Sequence, residues 1–160
     1  MPDRGLSAAM LAEIAKSEVH LVHLVKLDLS TPVFMTDSHK DIVFDGDTYQ
    51  SIGSFLGLTT IKESLPIRVG NLTVILSGVD QSFISTFLSE PITNKVVTIY
   101  HAFLDSSGNL VIDPLTAFSG MIDYFKVAED TGNGSSKISL IASSHWADFE
   151  RISGRRTNNE

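Results

Sequence analysis

The chain has 160 residues without a single cysteine, and its 12 basic and 19 acidic side chains leave a net charge of −7. The missing cysteines exclude disulfides, thiolate metal sites, iron–sulfur ligation through thiolates and a cysteine nucleophile, and the acidic balance excludes the basic face with which a duplex-binding protein displaces counterions. A hydrophobic content of 42% over this length can bury one sizeable core, so a single domain over residues 1–150 is expected.

Leu6, Met10, Leu11 and Ile14 recur at helical spacing, with Ser7 placed to cap the first turn, and predict a short amphipathic helix over residues 7–17. Asp3, Glu13, Lys16 and Glu18 interrupt any apolar run there, so neither an export signal nor a membrane anchor is expected. From Val19 the period changes to two. Val19, Leu21, Val25 and Leu27 share one face, and Val22 and Leu24 on the other imply partial cover there too, as in a central strand.

Pro32 breaks that run. A hairpin is then expected in the neighbourhood of PVFMTD and IVFDGDTYQ, with Asp45-Gly46 supplying the positive φ angles of a tight turn. In PIRVGNLTVILSG the apolar set moves from Ile67 and Val69 to Leu72, Val74 and Leu76, a parity switch that calls for a bulge or break at Gly70-Asn71. Asp80 has the character of an N-cap, and Phe83, Ile84, Phe87 and Leu88 form the stripe of a second short helix. VVTIYHAFLD, NLVIDP, TAFSGMIDYFKVAE and KISLIASS read as four more strands, and DTGNGSS reads as a flexible hairpin tip. Residues 151–160 carry no apolar period and are expected to form an extended or disordered tail. The result is a mainly β (α+β) domain with two short helices and no internal repeat.

The chemistry-bearing residues do not form a familiar site. His20 and His23 are three apart on a strand, which puts their rings on opposite faces and argues against a shared metal. Asp41, Asp45 and Asp47 lack the glycine and distal glutamate of an EF-hand, and a hairpin turn accounts for them. Ser119-Gly120 and Ser143-Ser144-His145 lack the flanking glycines of a nucleophile elbow. Asp123 could meet Asp28 or Asp105 in space, yet nothing in the spacing favours it. No glycine-rich loop carries a phosphate-binding lysine, and Arg155-Arg156 is too small for an electrostatic groove. No enzymatic activity, cofactor or metal is expected.

Several runs, in order, resemble the tail-tip hub and minor tail proteins of long-tailed phages, a family typified by the lambda minor tail protein L and present in gene transfer agents. They are the N-terminal helix leading into HLVKLDL, FDGDTYQSIG at 44–53, IRVGNLTVILSG at 67–78, VVTIYHAFLD at 96–105, FSGMIDYFKV at 118–127 and FERISGRRT near the end. The resemblance implies a tail-tube-like β-barrel or sandwich with flanking helices. It further implies a homo-oligomeric ring in the virion tail tip, made in the host cytoplasm, that joins the tail tube to the central hub protein and lets DNA pass without specific binding. Lambda-like members hold an iron–sulfur cluster on C-terminal cysteines; this chain has none, and the cluster is not carried over.

Asp130, Thr131, Gly132, Asn133, Gly134 and Ser135 at the hairpin tip, with Arg155 and Arg156 in the tail, are the expected subunit contacts, because neither segment can offset its own ordering cost alone. Two other classes compete. A carbohydrate-binding or adhesion β-sandwich would place Trp146, Tyr49 and Tyr124 on one exposed platform. A hydrolase on a β scaffold would need His101 in a concave cluster with acidic neighbours.

Overall fold

The computed structural model describes residues 8–16, 18–51, 55–59, 71–77, 85, 89, 91–130 and 135–144. Among these residues a helix, α1 (Ala8–Ile14), precedes nine strands: β1 (His20–Leu27), β2 (Val33–Thr36), β3 (Ile42–Phe44), β4 (Asp47–Tyr49), β5 (Phe55–Leu58), β6 (Asn71–Ser77), β7 (Val96–Leu104), β8 (Leu115–Asp130) and β9 (Ser135–Ser144). Seven of them form one sheet in the order β2-β1-β7-β8-β9-β6-β5, and β3 and β4 form a separate hairpin. Every pairing within the sheet is antiparallel.

The core shows how the sheet bends. Laid flat, seven strands about 4.8 Å apart would hold their outer members roughly 29 Å apart. Yet Met35 of β2 belongs to the same buried cluster as Leu72, Val74 and Leu76 of β6, and Leu58 of β5 packs against that cluster too. The sheet therefore curls into a half-barrel around one core. The expectation of a mainly β domain holds, whereas the sheet is a curled half-barrel with little helix.

β1 lies between β2 and β7, as its sequence predicts, and is covered on both faces over Leu24, Val25 and Leu27, whereas Val19 and Leu21, expected on a covered face, are 42% and 44% exposed. Val25 and Leu27 enter the main core. Leu24 on the opposite face joins Ile42, Tyr49, Ala102 and Leu104 in a second cluster beneath the β3–β4 hairpin. Asp45 and Gly46 close that hairpin with φ of 54° and 81°, the two left-handed residues that a two-residue turn matched to strand twist requires. Gln50 then bonds through its backbone to Phe34 and Thr36, tying the hairpin to the outer edge of β2.

Other expectations need correction. NLVIDP is not a strand: Leu110 makes a single bridge to Leu104, and Val111 is exposed. The cause is Asp105, whose carboxylate accepts the backbone N–H groups of Ser107 and Asn109 and folds the segment into a turn before β propensity can act. The stripe of α1 is mostly uncovered, for Met10 is buried while Leu11 and Ile14 are 41% and 49% exposed. Leu72, Val74 and Leu76 are buried as predicted, but the proposed break at Gly70 lies outside the described residues. So does most of the second helix, of which Ser85 and Ser89 are described and helical. β5 was not expected, because Gly53, Ser54 and Gly57 interrupt any alternation there.

Candidate functional site

Two features on this scaffold could carry function. The first is the β8–β9 arm. β8 pairs with β7 only as far as Met121, after which Lys95 and Asn94 bond to the backbone of Ile122. Beyond that point β9 is the only neighbour of β8 among the described residues, and the ladder runs on to a final pair, Asp130 with Ser135. Residues 123–130 therefore present on the order of 26 Å of strand edge with no partner strand among the described residues.

A bulge sets the side chains of this arm. Ile122 pairs with Ala142 and Tyr124 with Ile141, leaving Asp123 as the extra residue, and its carboxylate accepts a hydrogen bond from Ser143 Oγ at 2.9 Å. The bulge switches parity, so that Ile122 and then Phe125 face the core while Tyr124 turns out to solvent. Lys126 reaches back over the Tyr124 ring, 5.6 Å from its centroid, and Val127 and Ala128 are exposed beside it.

Of the expected contact residues, Asp130 and Ser135 form the last rung of the ladder, so the connecting loop is shorter than DTGNGSS suggests. Thr131, Gly132, Asn133 and Gly134, and Arg155 and Arg156 in the tail, lie outside the described residues.

The second feature is a polar cluster at one end of the β1–β7 ladder. His23 and His101 are direct cross-strand partners, with ring centroids 5.1 Å apart at 77°. Asp37 follows β2, and its two carboxylate oxygens accept hydrogen bonds from the His23 backbone N–H and from Nδ1 of its ring, both at 2.7 Å. That bond makes Nδ1 the protonated nitrogen of His23. Burial lowers the pKa of His101, His23 adds to the effect and Asp37 opposes it. Sequence spacing sets the rings of His20 and His23 on opposite faces, and the ladder supplies His101 as the ring partner of His23. His20 itself is exposed at the start of β1.

The remaining candidates are dispersed. Asp41 accepts from the N–H and Oγ of Ser51, Asp47 pairs with Lys26 at 3.4 Å, and Asp45 forms the turn. Asp105 is engaged with its own turn, which holds its carboxyl below the usual range, chiefly through the Asn109 N–H. Among the described residues no group of three or more histidines and carboxylates is arranged to hold a metal. Among these residues no helix is long and apolar enough to cross a membrane. Of the aromatic platform expected of a carbohydrate binder, Tyr49 is 2% exposed, its phenol pushed up by burial, Tyr124 stands on the arm, and Trp146 lies outside the described residues.

No protein-family model matches the chain. Over 140 residues, 81% of its length, it is 24% identical to the baseplate hub protein pb3 of Escherichia phage T5, of which it spans 15%. A solved chain from the virion of a native gene transfer agent particle has the same fold, with a TM-score of 0.72 at 14% identity over 94% of this chain and 49% of that one. The chain is thus similar in sequence to part of a phage baseplate hub protein and shares its curled-sheet fold with part of a gene transfer agent virion chain.

Proposed function

We propose that this chain is a structural, non-enzymatic component of a phage-type virion, placed at the tail tip as a ring of copies that joins the tail tube to the central hub and leaves a passage for DNA. The observation that carries this reading is the similarity to a baseplate hub protein over 81% of the chain, joined to the half-barrel fold common to it and a gene transfer agent virion chain. In the ring the β8–β9 arm reaches an adjacent subunit, where the edge of residues 123–130, without a partner strand among the described residues, accepts further backbone hydrogen bonds. Other tail proteins lie above and below.

The acidic excess suits a conduit, since a negative lining repels phosphates and lets DNA slide. Of the lysines that could oppose it, Lys26 is paired with the carboxylate of Asp47. Native mass spectrometry and negative-stain imaging of the purified chain, alone and co-expressed with the products of adjacent genes, test the ring. Closed rings of defined stoichiometry are expected, and a persistent monomer under every combination would overturn the reading.

A further inference from the structure

We propose that His23, Asp37 and His101 form an acid-operated latch, which locks the end of β1 between β2 and β7 at neutral pH and loosens it when a proton reaches His101. The inference stands on geometry and does not depend on the proposed virion role.

β1 and β2 pair from Leu27 with Val33 to Leu24 with Thr36. The next rung would set His23 against Asp37, and there the carboxylate of Asp37 takes over, receiving the His23 backbone N–H on Oδ1 and the ring N–H on Oδ2. Both oxygens are thereby committed to one residue. On the other side of β1 the His101 ring meets the His23 ring edge to face. The groups that act electrostatically on His101 are His23 from β1 and Asp37 from the end of β2. From β8 its partner is Leu115, which carries no charge.

A proton on His101 therefore has two outcomes. It stays without a counter-ion in a half-buried position, which is costly, or it draws Asp37 away from His23 and breaks the substitute rung. The first outcome destabilises the folded chain as a whole; the second frees the end of β1 from β2 and leaves residues His20 to Val22 held only by their pairing with Leu104 to Ala102 among the described residues. The direction in pH follows from the lowered pKa of His101. Above its ordinary value of 6.5 the ring is neutral in the folded and unfolded chain, and the latch holds at no cost. As pH falls below that value the unfolded chain binds the proton first, so stability declines until the folded-state pKa is passed.

The test is a proton NMR titration of the histidine rings in the full chain, with urea unfolding from pH 7.5 to 5 for wild type, His101→Gln and His23→Gln. His101 should titrate below the histidines of the urea-unfolded chain, and His23→Gln should raise its midpoint. The wild-type urea midpoint should fall across this range by more than that of His101→Gln, with amide exchange accelerating first at residues 20–23 and 101–104. Titration of His101 at or above the unfolded value overturns the proposal, even if His101→Gln does not fold. Equal falls for wild type and His101→Gln also overturn it.

Discussion

Gly120 on β8 passes so close to β9 that a Cβ built on it would lie 2.2 Å from the carbonyl oxygen of Ser143, with the Phe118 ring at 2.8 Å. The oxygen belongs to backbone inside a ladder and cannot move without breaking rungs on both sides. Gly120→Ala should therefore cost about 3 kcal/mol or more, at the upper end of overpacking penalties. Chemical denaturation should show a lower midpoint with an unchanged slope.

Gly108 offers a contrast in mechanism. A Cβ there would meet Lys40 Cε at 2.7 Å, but that atom is the far end of a flexible side chain, so the decisive term is the backbone φ of +76°. Gly108→Ala should cost roughly 1–2 kcal/mol, the ordinary penalty for a left-handed alanine. In a double-mutant cycle Lys40→Ala should not relieve it.

Tyr49 anchors the β3–β4 hairpin, its ring 5.3 Å from Phe34 and 6.5 Å from Phe44. Tyr49→Ala should cost about 3–5 kcal/mol, as for other buried aromatics. Because burial raises the pKa of this phenol, with Tyr100 adding to the shift, the folded chain resists its ionisation. Stability should then fall as pH rises above the ordinary tyrosine value near 10. In alkaline titrations monitored at 295 nm, Tyr49 should ionise only together with unfolding.

The signals visible in the sequence were local ones. Asp45-Gly46 announced its turn because the required φ angles restrict the residues that can make it. The alternation of Leu72, Val74 and Leu76 announced a buried face because period two has one reading. What stayed hidden depends on residues distant in sequence. His23 finds its aromatic partner on β7, and no spacing rule reaches that far. The bulge at Asp123 was concealed by Tyr124, whose apolar ring continues the alternation of Phe118 and Ile122 although it points to solvent. Val111 and Ile112 have strand propensity, and the Asp105 turn overrides it.

If the arm joins subunits, its backbone should be the part of the molecule most changed by assembly. The amides of residues 123–130 that face away from β9 should exchange fast in the monomer and be strongly slowed in the ring, while those of β7 exchange equally slowly in both. Residues 151–160, the second expected contact, should behave like the arm. Equal exchange in the two states would reduce the arm to a surface feature.

The most direct measurement is cryo-electron microscopy of particles from the source that encodes this chain, with the tail end reconstructed around its axis. The proposed role predicts density for the curled seven-stranded sheet repeated about that axis, with the β8–β9 arm of each copy laid on its neighbour. Particles whose tail ends are complete without such density would contradict it.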